Sequence, residues 1–440
     1  MAVPKPYGRR PPHSFQSSRF RSGSRRSGTP CAVFSKDILM TTSFFRTALI
    51  LGLLSAIGPF AIDMYLPALP SIGSDLGAEN NAVQLSLLAF FISFALAQLV
   101  YGPLSDMWGR KAPLYLGIGL FVAASIGCAL SSDIETLIAF RFLQGIGGAA
   151  GMVIPRAIVR DMHTGVEAAR LMSLLMLVFS ISPILAPLTG SAVITFYGWR
   201  GVFWAVMIAG FIGLVLLATQ LRETRPKAER AESSAASALA AYRLLLSDRN
   251  FLTLAFIGGL GIASFLVYLA NSPFVLIEHY GLTPVQYSVA FSINAVSFFS
   301  VSQLTGWFGS RFGLVRVMRA AVTLFSLTMA AMVLVMGLGF DQLPVMAVFL
   351  FAGYGFLGLV IPTSAVLALE DHGAIAGTAS ALMGTLHFAT AAIAMVVTSV
   401  FFDGTALPMA AGIALCAVLA FVLTQATIGR RRVPVTEPAQ

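Results

Sequence analysis

Three ionisable side chains lie deep inside long apolar runs of this sequence: Asp63, Arg141 and His387. A charge at such a position is costly in hydrocarbon and normally faces a water-filled path. Asp63 is the sole carboxylate expected within an apolar span. Burial favours its neutral acid, and a nearby arginine favours its carboxylate. That balance suits a group that takes a proton from one side and releases it to the other, with Arg141 tuning it. A structural Asp63–Arg141 pair, or an Asp63 that caps a helix, fits the same residues. Arg141 stands six residues past Glu135, roughly 9 Å into its helix. The apolar pattern runs on to Ile72, so the first helix is expected to continue with a kink through Pro67 and Pro70. That would leave Asp63 about two turns deep, near Arg141. His387 fits a packed, hydrogen-bonded polar residue better than a proton relay. Asn271 and Asn294 can bond a ligand, although contacts between helices are their commoner use.

The elements that position these groups follow from composition. The chain has 440 residues, 57% hydrophobic and 11% charged. A soluble domain carries about 25% charged residues, so a chain that uses lipid as solvent is implied. Twelve segments are long and apolar enough to span a bilayer. They centre on 44–66, 82–104, 112–131, 135–157, 169–193, 201–220, 251–274, 285–308, 317–337, 344–367, 374–400 and 406–427. The formal charge of +9 sits mostly in residues 1–39, where eight Lys and Arg face Asp37 alone and leave +2 for the rest. The high basicity is therefore no sign of a nucleic-acid face.

Residues 1–41 read as a disordered basic tail or, with Met40 as the true start, as no part of the fold. They lack the apolar stretch of a secretory signal. The expected organisation is a six-helix bundle over 42–220, a polar linker over 221–250, a second bundle over 251–427, and a tail over 428–440. Alternate loops concentrate the cations, among them Arg110, Lys111, Arg156, Arg160, Arg170, Arg225, Lys227, Arg311 and Arg430 to Arg432. The opposite loops hold Asp75, Glu79, Asp133, Glu278, Asp341 and Asp403, with Arg200 the one cation. The positive-inside rule then places both termini in the cytoplasm.

The two halves match at an offset of 204. Gly102, Asp106, Trp108 and Gly109 fall on Gly306, Ser310, Phe312 and Gly313, and Gly77 falls on Gly281. Such a repeat implies a pseudo-two-fold axis along the membrane normal. Cys31, Cys128 and Cys416 are too few and too scattered for a disulfide framework or a metal site. There is no paired-carboxylate, Ser/His or metal constellation at membrane depth, so no catalytic residues and no cofactor are expected. No G-x-x-x-x-G-K-[ST] loop occurs, which argues against direct ATP drive.

The loop Gly102-Pro-Leu-Ser-Asp106-Met-Trp-Gly109-Arg110-Lys111 resembles the signature loop of the major facilitator superfamily. The resemblance extends over about residues 43–427. Asp63-Met-Tyr-Leu-Pro67-Ala-Leu-Pro70 resembles the first-helix motif of its Bcr/CflA drug-resistance transporters. Arg141-Phe-Leu-Gln144-Gly145, Pro155-Arg156, Arg160-Asp161 and Asn271-Ser-Pro273-Phe are similar to the same group. Ser182-Pro183-Ile-Leu-Ala-Pro187-Leu-Thr189-Gly190 resembles the antiporter signature, with Thr189 where a Gly is usual. The resemblance implies an all-α, twelve-helix membrane protein of two pseudo-symmetric bundles. It implies proton-coupled efflux of lipophilic, drug-like molecules by a monomer in the inner membrane. It also implies a latch between the halves at the signature loop with Asp161, and a cavity faced by Gln144 and Gly145. An exporter of a sugar or amino-acid-derived metabolite remains the alternative within the fold, and a receptor or scaffold without transport the alternative outside it.

Overall fold

The computed structural model describes residues 31–163, 165–226, 230, 235–372 and 375–427. Residues 1–30 of the tail expected over 1–41, and the tail expected over 428–440, lie outside the described residues, as does Lys227; Arg430 to Arg432 fall in the second tail. The chain divides into two units, Met1–Phe45 and Arg46–Gln440. In the first, the helical backbone starts at Cys31, so residues 31–41, expected in the tail, are helical. No Pro or Gly stands between Cys31 and Leu51 to stop that helix. Everything below concerns the second unit.

Its regular elements are helices joined by short turns, with no strand among the described residues. The first half comprises the end of α1 (Cys31–Asp63), a 3-10 turn (Leu66–Ala68), α2 (Leu69–Leu76), α3 (Asn80–Trp108), α4 (Lys111–Leu130), α5 (Ile134–Met162) and α6 (Gly165–Thr219). α7 (Ala235–Ser247) lies within the segment expected to be a polar linker. The second half comprises α8 (Arg249–Pro273), a π turn (Phe274–His279), α9 (Pro284–Ser302), α10 (Thr305–Phe312), α11 (Leu314–Gly337), α12 (Leu343–Glu370), α13 (Ala376–Val400) and α14 (Ala406–Thr427).

Eleven helical stretches are long and apolar enough to cross a membrane. One of them holds two spans, because α6 is interrupted at Gly198, where φ is +67°. A side chain there would be strained, and glycine lets the chain turn from the fifth span into the sixth. The twelve-span reading therefore stands. The repeat is visible in the backbone: Gly77 and Gly281 have φ of +60° and +70°, and Gly109 and Gly313 have +88° and +83°. Each pair sits at the offset of 204 and makes the same left-handed turn.

Within the first half α5 packs between α3 and α4, and α4 also lies along α6. Within the second, α8 packs on α12, α13 and α14. The halves meet along two seams, α3 against α13 and α6 against α9. At the end that carries Asp75, Glu278 and Asp341, here the acidic end, polar bonds cross between the halves. Asn80 donates to Glu278 at 3.0 Å and Gln84 donates to Asn271 at 3.1 Å. Ser191 and Ser288 share a hydrogen bond, and Ser292 donates to the Ile184 carbonyl at 3.0 Å. Mid-seam, Thr385 donates to the Ala95 carbonyl and Phe388 stacks on Phe91.

Candidate functional site

Asp63 ends α1, and the reason is written four residues on. Pro67 has no N–H to give the Asp63 carbonyl, and its ring would crowd that carbonyl. The chain leaves the α-helix at Met64 and Tyr65, makes one 3-10 turn, and resumes as α2. The expected continuous, kinked helix is therefore a broken one. Asp63 is 5% exposed and is the one buried carboxylate among the described residues. Its side-chain partner is Ser182 of α6, whose hydroxyl lies at 3.5 Å, the outer limit of a hydrogen bond.

The expected Asp63–Arg141 pair does not form. The break turns Tyr65, not Asp63, onto the arginine. The Arg141 guanidinium is 0% exposed and is held between the Tyr65 and Phe90 rings, 4.4 Å from each centroid. Its Nη1 donates to Gln144 at 2.6 Å, and Gln144 donates to Ser125 at 2.7 Å. Nε and Nη2 have no hydrogen-bond partner among the described residues. Tyr65 is fixed in turn by a 2.6 Å hydrogen bond with Ser86. Cation–π contact on both faces substitutes for the missing carboxylate.

α6 closes over the break. A Cβ on Gly190 would stand 2.4 Å from the Met64 carbonyl oxygen, so only glycine lets this helix reach the backbone beside Asp63. Pro183 and Pro187 lie inside α6, and the Pro187 carbonyl accepts from Ser288 of α9 at 2.9 Å. The antiporter-like segment thus joins the first-helix break to the second half.

The five residues expected around one cavity are dispersed. Gln144 is spent on Arg141 and Ser125. Gly145 sits where a Cβ would be 2.4 Å from the Phe90 carbonyl, a site of close helix packing. Asn271 accepts from Gln84 and donates to the Val267 carbonyl, and Asn294 donates to the Tyr268 hydroxyl at 3.0 Å. His387 packs against Gly258 and Gly259, with Nε2 unpartnered among the described residues. All three side chains, Asn271, Asn294 and His387, are buried.

A chamber of about 490 Å³ lies instead at the opposite, basic end, between the halves. Gln98, Arg156 and Arg160 of the first half, Tyr242 of α7, and Thr378 and Ser380 of α13 line it. None of the five expected residues borders it. The signature loop forms its rim. Arg110, 4% exposed, donates through Nε and Nη2 to both Asp161 oxygens at 2.7 and 3.0 Å, and through Nη1 to Asp106 at 2.7 Å. Burial works against the Arg110 charge, and Asp161 with Asp106 more than offsets it, holding the group above the ordinary guanidinium value.

The expected latch between halves differs in its partners. Glu223, just after α6, accepts from the backbone N–H groups of Arg110 and Lys111 at 2.8 and 3.1 Å, where its charge faces the start of α4. Lys111 donates to the Leu221 carbonyl, Thr224 donates to Asp161, and Arg225 pairs with Asp106 at 3.4 Å. The loop is thus tied to its own half and to the segment after α6. Gly109 makes the positive-φ turn under Glu223, and a Cβ added to Gly102 would meet no atom within 4 Å. Burial opposes the Glu223 charge, but the Arg110, Arg225 and Lys111 backbone bonds prevail and hold its carboxyl below the usual range. Sequence reasoning missed Glu223, Tyr65 and Gln98. Tyr65 and Pro67 stood in the quoted motif, but their effect appears only once the helix is seen to break.

The major facilitator superfamily model matches residues 51–395. The uncharacterized MFS-type transporter YdgK of Bacillus subtilis is 38% identical over 393 residues, 87% of this chain and 96% of that one. The bicyclomycin resistance protein homolog of Haemophilus influenzae is 30% identical over 383 residues, covering 86% and 94%. Among solved structures, a D-xylose-proton symporter superposes with a TM-score of 0.68 at 16% identity, covering 86% of this chain and 97% of that one. A twelve-span repeat, a signature loop tied to Asp161 and these matches agree: the chain is a multi-pass membrane transporter, not an enzyme, and belongs to the major facilitator superfamily.

Proposed function

We propose that this transporter exports drug-like small molecules in exchange for protons, with Asp63 as the proton carrier. The observation that carries the reading is Asp63 itself. A buried acid stands at a helix break, without a cationic partner among the described residues, under the helix that bridges to the second half. A buried carboxylate so lightly partnered is far easier to keep neutral than charged, which gives the proton a reason to load. The name of the bicyclomycin-resistance relative supports a drug-like cargo.

Arg141 acts through Tyr65. By clamping that ring it fixes the turn that carries Asp63, and a rearrangement of the break alters both together. The acidic end is bonded shut and the chamber lies at the basic end. With the cations on the cytoplasmic side, this is a state that receives cargo from within the cell. Both termini are then cytoplasmic, the membrane is the inner one, and the segment 221–250 joins two bundles, 42–220 and 251–427, that rock as bodies in a monomer. An inward proton contributes about 2.3 kcal/mol per 100 mV from the electrical term alone.

The test is a panel of toxic compounds against an overexpressing strain, with and without an uncoupler, followed by purified Asp63→Asn in proteoliposomes. Export that the uncoupler stops, and that Asp63→Asn loses while still inserting normally, is the expected result. An Asp63→Asn protein that continues proton-coupled export removes Asp63 from the scheme.

A further inference from the structure

We infer that the groove between the basic ends of α11 and α14 is a binding site for the phosphate headgroup of an anionic phospholipid. Arg316, Arg319, Ala320, Thr323 and Leu324 of α11 and Gln425 of α14 line its volume of about 460 Å³. The α11 residues recur at steps of three and four, which sets them on one helix face. Neither helix belongs to the two seams between the halves, and no residue lines both this groove and the chamber.

Three observations point to the ligand. The first is charge without a counter-ion. Neither Arg316 nor Arg319 forms an ion pair among the described residues. The Arg319 Nε is buried and has no hydrogen-bond partner there either. An N–H shut away from water without an acceptor is costly, and a phosphate oxygen removes that cost. The planar guanidinium fork also matches phosphate oxygens in shape.

The second observation is the repeat. Gly109 and Gly313 make the same turn ahead of α4 and α11. In the first half carboxylates answer the charges at that turn. Asp106 and Asp161 hold Arg110, and Glu223 accepts from the first N–H groups of α4. In the second half Ser310 stands at the place of Asp106. α11 has no acidic residue in its first turn, and Gly313 at its N-cap offers no side chain. No described carboxylate serves Arg316, Arg319 or the positive end of the α11 dipole. A headgroup phosphate does for α11 what Glu223 does for α4.

The third is depth. The 24 residues of α11 reach about 36 Å, a turn more than the roughly 30 Å of hydrocarbon. Arg316 and Arg319 fall in its first two turns and Gln425 in the last turn of α14, so the polar end of the groove stands at headgroup level. Leu324, about two turns further in, is 44% exposed at the depth of acyl chains. Trp307 and Phe312, in the short helix ahead, are also exposed, as aromatic rings are at a membrane interface. A free phosphate uses only the arginines, whereas a diacyl lipid uses the arginines and the apolar wall beyond them.

The experiment is native mass spectrometry on the full chain, delipidated in detergent and then given equal amounts of phosphatidylglycerol and phosphatidylcholine. One phosphatidylglycerol is expected to bind ahead of all other lipid. Arg316→Gln and Arg319→Gln should each weaken it about tenfold, the scale of one charge-assisted hydrogen bond, and leave phosphatidylcholine unchanged. Arg316 is exposed at the groove mouth, so Arg316→Gln gives a readout even where Arg319→Gln folds poorly. Arg249→Gln is the control. It removes an exposed cation at the same end of the membrane, at the start of α8, and should keep the phosphatidylglycerol. An equal loss in Arg249→Gln reduces the groove arginines to general anchoring charge and overturns the site. Equal occupancy by the two lipids in the parent, or unchanged binding in a folded arginine variant of the groove, overturns it as well. Displacement by inorganic phosphate, and not by chloride at equal ionic strength, assigns the groove to the free ion and also overturns the lipid site.

Discussion

Gly190→Ala is the sharpest test of the geometry around Asp63. An added Cβ would lie 2.4 Å from the Met64 carbonyl oxygen, 2.9 Å from its Cα and 3.0 Å from its carbonyl carbon. All three are backbone atoms, so no side chain can swing aside. A relaxed carbon–oxygen contact is about 3.3 Å, so α6 and the break after α1 must part by roughly 0.9 Å. Forced overpacking of this kind costs about 1–3 kcal/mol. The displacement falls on the residue next to Asp63 and on the helix that carries Ser182, whose contact is already at 3.5 Å. The thermal unfolding midpoint in detergent should fall, and proton-coupled transport should fall with it. Gly119→Ala is the control, because no neighbouring atom lies within 4 Å of its Cβ position. Inside a helix that change is neutral or gains up to about 1 kcal/mol. A Gly190→Ala protein that matches the parent in both midpoint and transport would refute the close approach and the role assigned to it.

Other expectations follow from the same contacts. Arg110→Ala strands Asp161 and Asp106 and should cost about 3–5 kcal/mol, read as a lower unfolding midpoint; Arg110→Lys should rescue little, because an ammonium cannot bridge both Asp161 oxygens. The Glu223 carboxyl is held below its ordinary 4.5, so its stabilisation is complete above that pH and lost as pH falls through its lower folded value. The midpoints of the parent and Glu223→Gln should therefore differ at pH 7 and converge below pH 4.5; a constant gap across the titration would contradict this. Asn80→Cys with Glu278→Cys, joined by a short bifunctional reagent, should arrest transport by fixing the acidic end shut. Continued transport by the cross-linked protein would show that this end need not open.

The sequence by itself determined the class and the count. Twelve apolar stretches can satisfy their backbone in lipid only as helices, whatever packs beside them. The repeat was also legible, since a left-handed turn demands glycine locally and leaves Gly77, Gly109, Gly281 and Gly313 at a fixed offset. The Arg110–Asp161 tie could be anticipated because both residues end helices on the same side. Tertiary structure decided the rest. Pro67 and Pro70 were in plain view, but whether a proline kinks a helix or breaks it depends on what the neighbouring helices will accept, and here α6 accepts a break at Gly190. That choice rotated Tyr65 rather than Asp63 onto Arg141. It was equally tertiary structure that spent Gln144, Asn271 and Asn294 on contacts between helices and left Gln98, Arg156 and Arg160 around the open space. A side chain's type says what it can bond; only the packed bundle says which partner reaches it first.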